Sequence, residues 1–152
     1  MMLTGRIQKE GALWRAECAA VGAFTQGNNR KHAAEMLADC IEAGVKEGFR
    51  VRVVEVRSVP GEKDAYEVSI DSDDLSTLLV EVLKHQRRMH KLTLAEVAKR
   101  LGSDNVNAYA AYEQGKREPS VGKFREMLAV VAPELGLTIA PREVEKRRKV
   151  AR

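Results

Sequence analysis

The hydrophobic pattern of this chain changes its period at about Ser72. Before that residue, apolar side chains alternate with polar ones in short runs, which is typical of half-buried strands. After it, apolar residues recur every three or four positions up to about Val131, the spacing of amphipathic helices. The 152 residues therefore predict a small α+β half followed by an all-α half.

The first half predicts four strands around one helix. The predicted strands lie at residues 3–9, 13–18, 50–59 and 66–71. In the third of these, the apolar phase shifts between Val53 and Val54, which indicates a bulge or a strand covered on both faces. The second is the clearest, because Trp14, Ala16 and Cys18 alternate with charged neighbours.

A loop and a helix separate the second and third predicted strands. The loop contains Gly22 and Gly27, and Asn28 or Asn29 can cap a helix that runs to about Ala43. The order of elements is therefore ββαββ, with one helix packed on one small sheet.

The second half predicts four helices. They begin at Ser72 or Asp73, at Thr93, at about Asp104 and near Ser120. Thr93 and Glu96 have the T-x-x-E spacing of a capping box. The resulting domains are residues 1–71, residues 72–140 and a basic tail at residues 141–152.

Residues 92–120 read LTLAEVAKRLGSDNVNAYAAYEQGKREPS. Two short helices joined by a turn at Gly102 are the minimum of a helix-turn-helix, and Ala95 and Ala98 are small enough for closely crossing helices. The start of the second helix carries short polar side chains that suit base edges in a major groove, since Asn can pair with adenine bidentately. Lys116 and Arg117 follow the next turn and suit backbone phosphates.

This stretch resembles the Cro/repressor-type helix-turn-helix family. The closing YEQGKREPS at residues 112–120 carries most of the resemblance, whereas Leu94 stands where the family usually has a Gln that contacts the DNA backbone. The expected partner is double-stranded operator DNA. The candidate DNA-binding residues are Thr93, Ser103, Asp104, Asn105, Asn107, Ala108, Tyr109, Lys116 and Arg117.

The first half, taken together with such a domain, resembles the HicB antitoxin family. The matching residues are Phe24–Gly27 and the helix Asn29–Ile41. The resemblance implies a truncated RNase H-like or dsRBD-like fold that binds and blocks a small ribonuclease toxin of the HicA type. The candidate toxin contacts are Trp14, Phe24, Gln26, Asn29 and Met36.

Charge is distributed unevenly between the two halves. The whole chain carries a formal charge of +4, whereas residues 1–72 hold 10 basic and 11 acidic residues. Residues 141–152 alone hold 6 basic and 2 acidic residues, so the basic excess is mainly C-terminal. Nucleic acid is therefore the expected partner of the second half, while the near-neutral first half argues against a double-stranded RNA binder.

Neither catalysis nor a metal site is predicted. The only cysteines, Cys18 and Cys40, stand apart without a CxxC pair, lie on apolar faces and are expected to be packed and reduced in a cytoplasm. The acidic residues of the first half are interspersed with basic ones, as on a solvated surface, and no Gly-rich phosphate loop occurs. The sequence predicts no cofactor, no membrane span and no secretory signal.

The combined hypothesis is an antitoxin that represses its own operon as a dimer or higher homo-oligomer on a palindromic operator. The alternative is a repressor without a toxin, whose first half senses a small molecule or only dimerises the protein. A helical half retained only for dimerisation is a further option.

Overall fold

The computed structural model describes residues 3–137. Its first half has the order βββαββ, with one strand more than the sequence predicts. The elements are β1 (Leu3–Glu10), β2 (Leu13–Cys18), a 3-10 turn (Ala19–Val21), β3 (Ala23–Gly27), α1 (Arg30–Glu42), β4 (Arg52–Ser58) and β5 (Ala65–Asp71).

The additional strand β3 occupies the segment interpreted from sequence as a glycine-containing loop. Its five residues pair antiparallel with β2, with Phe24 opposite Glu17 and Gln26 opposite Arg15. The ββαββ prediction is therefore wrong by one strand. The physical reason is that a five-residue strand flanked by Gly22 and ending at Gly27 carries the local composition of a turn, while its pairing is decided by the free edge of β2.

The five strands form one antiparallel sheet in the order β3-β2-β1-β5-β4. Helix α1 packs on one face, where Ile7, Ala16, Leu37 and Val68 are fully buried together. Close approach of the helix depends on Gly27, because a β-carbon there would lie 2.7 Å from Cα of Ala33. The opposite face carries no helix of its own among the described residues and is covered by charged side chains.

The edge strand β4 contains an irregularity, although not where the sequence predicts it. The register with β5 shifts between Glu55 and Arg57 rather than between Val53 and Val54. Val54 and Val56 are consequently both exposed, at 55% and 56%. A bulge in an edge strand is a common protection against pairing with another chain.

The second half consists of helices only. They are α2 (Leu75–Met89), α3 (Leu94–Arg100), α4 (Val106–Glu113) and α5 (Val121–Val131). Asp74 caps α2, rather than Ser72 or Asp73, by accepting a hydrogen bond from Thr77 N. None of the described helices has the length and apolar character needed to cross a membrane.

Helix α2 belongs to the cores of both halves. Its Leu78 is buried with the sheet, whereas Leu83 is buried with α3, α4 and α5. The Gln86 side chain donates a hydrogen bond of 3.0 Å to the carbonyl of Ala20 in the 3-10 turn. The helical half is thus packed directly against the sheet. The predicted tail at residues 141–152, with residues 138–140 before it, lies outside the described residues.

Candidate DNA-binding surface

The N-terminus of α3 is closed by the predicted capping box. Glu96 N donates to Thr93 Oγ1 at 3.1 Å, and Thr93 N donates to the Glu96 carboxylate at 2.7 Å. That hydrogen bond holds the pKa of Glu96 below its ordinary value. Thr93, a predicted DNA contact, is exposed, and its backbone N–H and its hydroxyl both donate to the Glu96 carboxylate.

A tight turn then leads from α3 to α4. Gly102 has a φ of 83° and ends α3, and Ser103 N reaches back to the carbonyl of Ala98 at 2.9 Å, as in a Schellman motif. Ser103 Oγ next accepts a hydrogen bond from Asn105 N at 3.2 Å. The Asn105 side chain in turn caps α4 by accepting from Asn107 N at 3.0 Å. The turn is therefore held by polar side chains that the sequence assigned to DNA.

Several predicted readers are available to a ligand at the start of α4. Asp104, Asn105 and Asn107 are exposed, and Ala108 is half-buried. These positions lie at the end of the helix that enters the major groove in a helix-turn-helix. Their accessibility suits contacts with base edges.

Tyr109 is a correction to the predicted DNA-binding set. Only 1% of it is exposed, and its ring is part of the core that joins α2 to α5. The hydroxyl is buried beside the Glu113 carboxylate. Burial and the neighbouring Glu113 carboxylate raise the pKa of the phenol well above its ordinary value. The aromatic ring fills the core rather than the surface because its helical position faces inward.

Arg87 and Glu113 form a bidentate ion pair next to that ring. Arg87 Nε and Nη2 donate to the two carboxylate oxygens at 2.7 and 3.0 Å, and the side chains are only 14% and 8% exposed. Arg87 Nη1 also donates to the carbonyl of Leu92 at 2.9 Å. The pair connects the end of α2, the start of the α3 segment and the end of α4, so it sets how α4 is held.

The turn after α4 presents two exposed cations. Gly115 adopts a φ of 70°, and Lys116 N donates back to the carbonyl of Ala111 at 2.9 Å, which closes a second Schellman motif. Lys116 and Arg117 follow directly and are exposed. The Arg117 guanidinium lies 5.3 Å from the centre of the Tyr112 ring, which limits its freedom. Both residues have the placement and charge of phosphate contacts.

Three further residues belong to the exposed face of α4 and were missed from sequence. Val106 is 39% exposed, Gln114 is exposed and Ala111 is half-buried. Asn107, Ala111 and Gln114 are spaced at i, i+4 and i+7, which places them on one helix face. That spacing is the sequence signal for this face. The sequence predicts a helix start near Asp104, two residues before the observed start of α4 at Val106.

One residue of α3 differs from expectation. Ala98 is buried where α3 and α4 approach each other, whereas Ala95 is exposed and takes no part in a helix crossing. Leu94, which stands where a backbone-contacting Gln is usual, packs its side chain partly into the second core. Leu94 therefore contributes apolar packing at that position instead of a polar contact.

The arrangement of α3, a tight turn and α4 with an exposed N-terminus defines a helix-turn-helix domain. Residues 83–130 match the model of the Helix-turn-helix family, of the Cro/repressor type. This match assigns DNA binding and transcription regulation to the helical half. No curated protein and no solved structure matches the chain significantly.

The five predicted toxin contacts do not share one surface. Trp14 lies on the sheet face that α1 covers, and Met36 is half-buried on α1 itself. Phe24 and Gln26 are exposed on the opposite face, because their partners in β2 are Glu17 and Arg15. Asn29 is the N-cap of α1, as the sequence predicts.

The described residues contain no group of three or more His, Cys, Asp or Glu side chains that could hold a metal ion. Cys18 is buried, and burial raises the pKa of its thiol. Cys40 is exposed rather than packed, which corrects the sequence interpretation. It lies on the side of α1 beside the edge strand β3, with its sulfur 3.9 Å from the carbonyl of Phe24.

Proposed function

We propose that this chain is a cytoplasmic antitoxin that neutralises a HicA-like, mRNA-cleaving toxin through its α+β half and represses its own operon through the helix-turn-helix. The observation that carries the DNA-binding half of this proposal is the open N-terminus of α4, with Asn107 exposed and two cations following the helix. The toxin partner is inferred from the HicB resemblance. The truncated RNase H-like or dsRBD-like classification of the first half is part of the same proposal.

An aromatic cluster supports a protein partner for the first half. The rings of Trp14 and Tyr66 lie with centres 6.0 Å apart, and the Arg30 guanidinium lies 4.1 Å from the Tyr66 ring centre. The side chains of Trp14 and Tyr66 are both only partly buried. Trp, Tyr and Arg are the residue types that most often dominate the binding energy of protein interfaces.

The packing of α2 supports a repressor that carries its partner while bound to DNA. Because α2 contributes Leu78 to one core and Leu83 to the other, the α+β half is held close to the reading helix. Two copies on a palindromic operator would present two such halves, with half-sites about one helical turn apart.

The test is co-expression of the full chain with the small open reading frame next to its gene. The proposal expects growth inhibition by that product alone, rescue by the full chain, and co-purification of the two proteins. Trp14→Ala and Phe24→Ala remove aromatic groups from opposite sheet faces, so the variant that loses rescue identifies the face that binds. Val121→Ala, an exposed apolar change at the start of α5 and outside both sheet faces, is the control. A neighbouring product that neither inhibits growth nor binds the full chain contradicts the antitoxin proposal.

A ligand-sensing repressor is the second candidate, and a cleft favours it. A space of about 550 Å³ lies between α2 and the turn after α4. Val80 contributes to its floor, while Lys46, Lys84 and Arg117 line it with acidic neighbours. Its volume is in the range of small-molecule sites. Release of the full chain from its own promoter by the small-molecule fraction of a cell extract, without any protein, would favour this candidate over the antitoxin.

A further inference from the structure

The exposed face of α4 contains amide and aliphatic side chains and no cation. From Val106 to Gln114, the exposed or half-buried positions are occupied by Val106, Asn107, Ala108, Ala111 and Gln114. The single acidic residue of the helix, Glu113, is turned inward and paired with Arg87. The side chains of α4 itself therefore offer a major groove only amide hydrogen bonds and methyl contacts, while the exposed carboxylate of Asp104 precedes the helix by two residues.

Asn105 and Asn107, the two asparagines at the start of α4, differ in whether their side-chain amides are already hydrogen-bonded. Asn105 uses its amide oxygen to cap α4, and a bidentate contact to adenine would need that same oxygen. Asn107 donates only its backbone N–H to this cap, and its side-chain amide makes no hydrogen bond within residues 3–137. Asn107 is therefore the asparagine whose amide oxygen and nitrogen are both available for a base.

The base code of the major groove pairs these groups with A·T. Asn or Gln bonds adenine through N6 and N7, and apolar side chains contact the thymine methyl group, whereas guanine is read chiefly by Arg or Lys. Toward the N-terminus, the nearest cations are Lys99 and Arg100, which lie at the end of α3 before the Gly102 turn. Toward the C-terminus, Lys116 and Arg117 lie beyond the end of α4 in the turn closed by Gly115. They are placed for phosphates rather than for the bases beneath the start of the helix.

We infer that the bases read by α4 are A·T pairs, with adenine bound by Asn107 and thymine methyl groups packed against Val106 and Ala111. Gln114 lies seven residues after Asn107 on the same helix face and offers a second side-chain amide to the groove. This inference rests on the proposed operator binding and adds the class of sequence that the operator contains.

The first experiment selects duplexes from a random library with the full chain and repeats the selection with Asn107→Ala and Val106→Ala. Wild-type protein is expected to enrich A·T at consecutive positions, and each variant to lose preference at one of them by about tenfold for the amide and about fourfold for the valine. Val54→Ala on β4 is the control for an exposed valine far from α4. Lys116→Ala is expected to weaken binding to all sequences alike.

The second experiment changes the DNA instead of the protein. Replacing the critical adenine by 7-deazaadenine removes the N7 acceptor and is expected to weaken wild-type binding by about tenfold, with no further effect on Asn107→Ala. Replacing thymine by uracil removes one methyl group and is expected to cost about fourfold in wild type and nothing in the matching aliphatic variant.

The possible outcomes distinguish failure of the A·T assignment from failure of the proposed operator binding. Enrichment of G·C at the positions that respond to Asn107→Ala or Val106→Ala overturns the A·T assignment and leaves specific DNA binding intact. Full chain that enriches no sequence above its non-specific binding overturns specific operator recognition itself, and the A·T assignment with it.

Discussion

The imidazole ring of His85 on α2 lies directly against Gly22, the residue that closes the 3-10 turn between β2 and β3. A β-carbon at Gly22 would fall 2.6 Å from His85 Nδ1, and Gly22 itself has a φ of 66°. Together with the hydrogen bond from Gln86 to Ala20, this contact joins the helical half to the sheet. Glycine suits the left-handed backbone conformation at this position, and a β-carbon there would also require the His85 ring to move.

Gly22→Ala is therefore expected to destabilise the protein by the sum of the two effects. The left-handed conformation costs about 1–2 kcal/mol for a residue with a β-carbon, and the clash adds about 1–3 kcal/mol. Gly11→Ala is the matched control, because Gly11 has a φ of 62° with no atom within 4 Å of the added carbon. Urea unfolding should show the larger loss for Gly22→Ala, and His85→Ala in that background should recover the steric part. Equal losses at Gly11 and Gly22 would contradict the contact.

Removal of Glu113 is expected to be among the most damaging substitutions in the helical half. Glu113→Ala leaves the Arg87 guanidinium buried and unpaired, which typically costs about 3–5 kcal/mol. Glu126→Ala breaks an exposed pair with Lys123 at 3.0 Å and is expected to cost less than about 1 kcal/mol. Denaturant unfolding of both variants checks the difference, and a small loss for Glu113→Ala would show that the pair is solvated.

Tyr109→Phe tests the correction to the predicted DNA-binding set. The hydroxyl is buried beside the Glu113 carboxylate, so its removal should change the free energy of unfolding by no more than about 1 kcal/mol. Affinity for the selected DNA site should stay at the wild-type value. If a Tyr109→Phe variant of wild-type stability binds the selected DNA more weakly, Tyr109 does contact DNA and its exclusion from the DNA-binding set is wrong.

Asp74 is expected to make stability depend on acid pH. The ion pair with Lys46 and the hydrogen bonds from Thr77 hold its pKa below the ordinary value of 3.8. Because the folded state favours the charged form, this contribution is fully present above the ordinary value and is lost as pH falls through the lower folded pKa.

The measurement compares the free energy of unfolding of wild type and Asp74→Asn from neutral pH down into acid. Asn still caps the helix, so the difference reports the charge and should shrink as the solution becomes acidic. Lys46→Met is the control background, in which the pH-dependent difference should be smaller. A difference that is constant with pH would contradict the role of the charged form.

Much of the helical half was predictable, because its signals are local. The Thr93–Glu96 capping box, the glycine at position 102 and the YEQGKREPS segment each act within a few residues of themselves. The third strand was not predictable in the same way. Residues 23–27 look like a loop in isolation and become a strand because β2 offers an unpaired edge.

The sequence predicts where the candidate DNA-binding surface lies better than it predicts which residues form it. The sequence predicts the reading surface at the start of α4. Asp104, Asn105 and Asn107 are exposed there, Ser103 and Ala108 are half-buried, and Tyr109 is buried. The helical period shows which residues of α4 share a face, since each residue advances the helix by about 100°. Which face is buried is set by packing against α2 and α5, which covers Tyr109 and leaves Val106, Ala111 and Gln114 accessible.

The sequence by itself determined that the chain has a β-patterned half, a helical half and a helix-turn-helix, because hydrophobic period and capping residues act over short distances. Only the tertiary structure decided which side chains remain accessible. Tyr109 is buried by α2 and α5, and Trp14 and Phe24 are separated by the pleat of the sheet. Accessibility depends on contacts between residues far apart in the chain, and the order of residues carries no local record of those contacts.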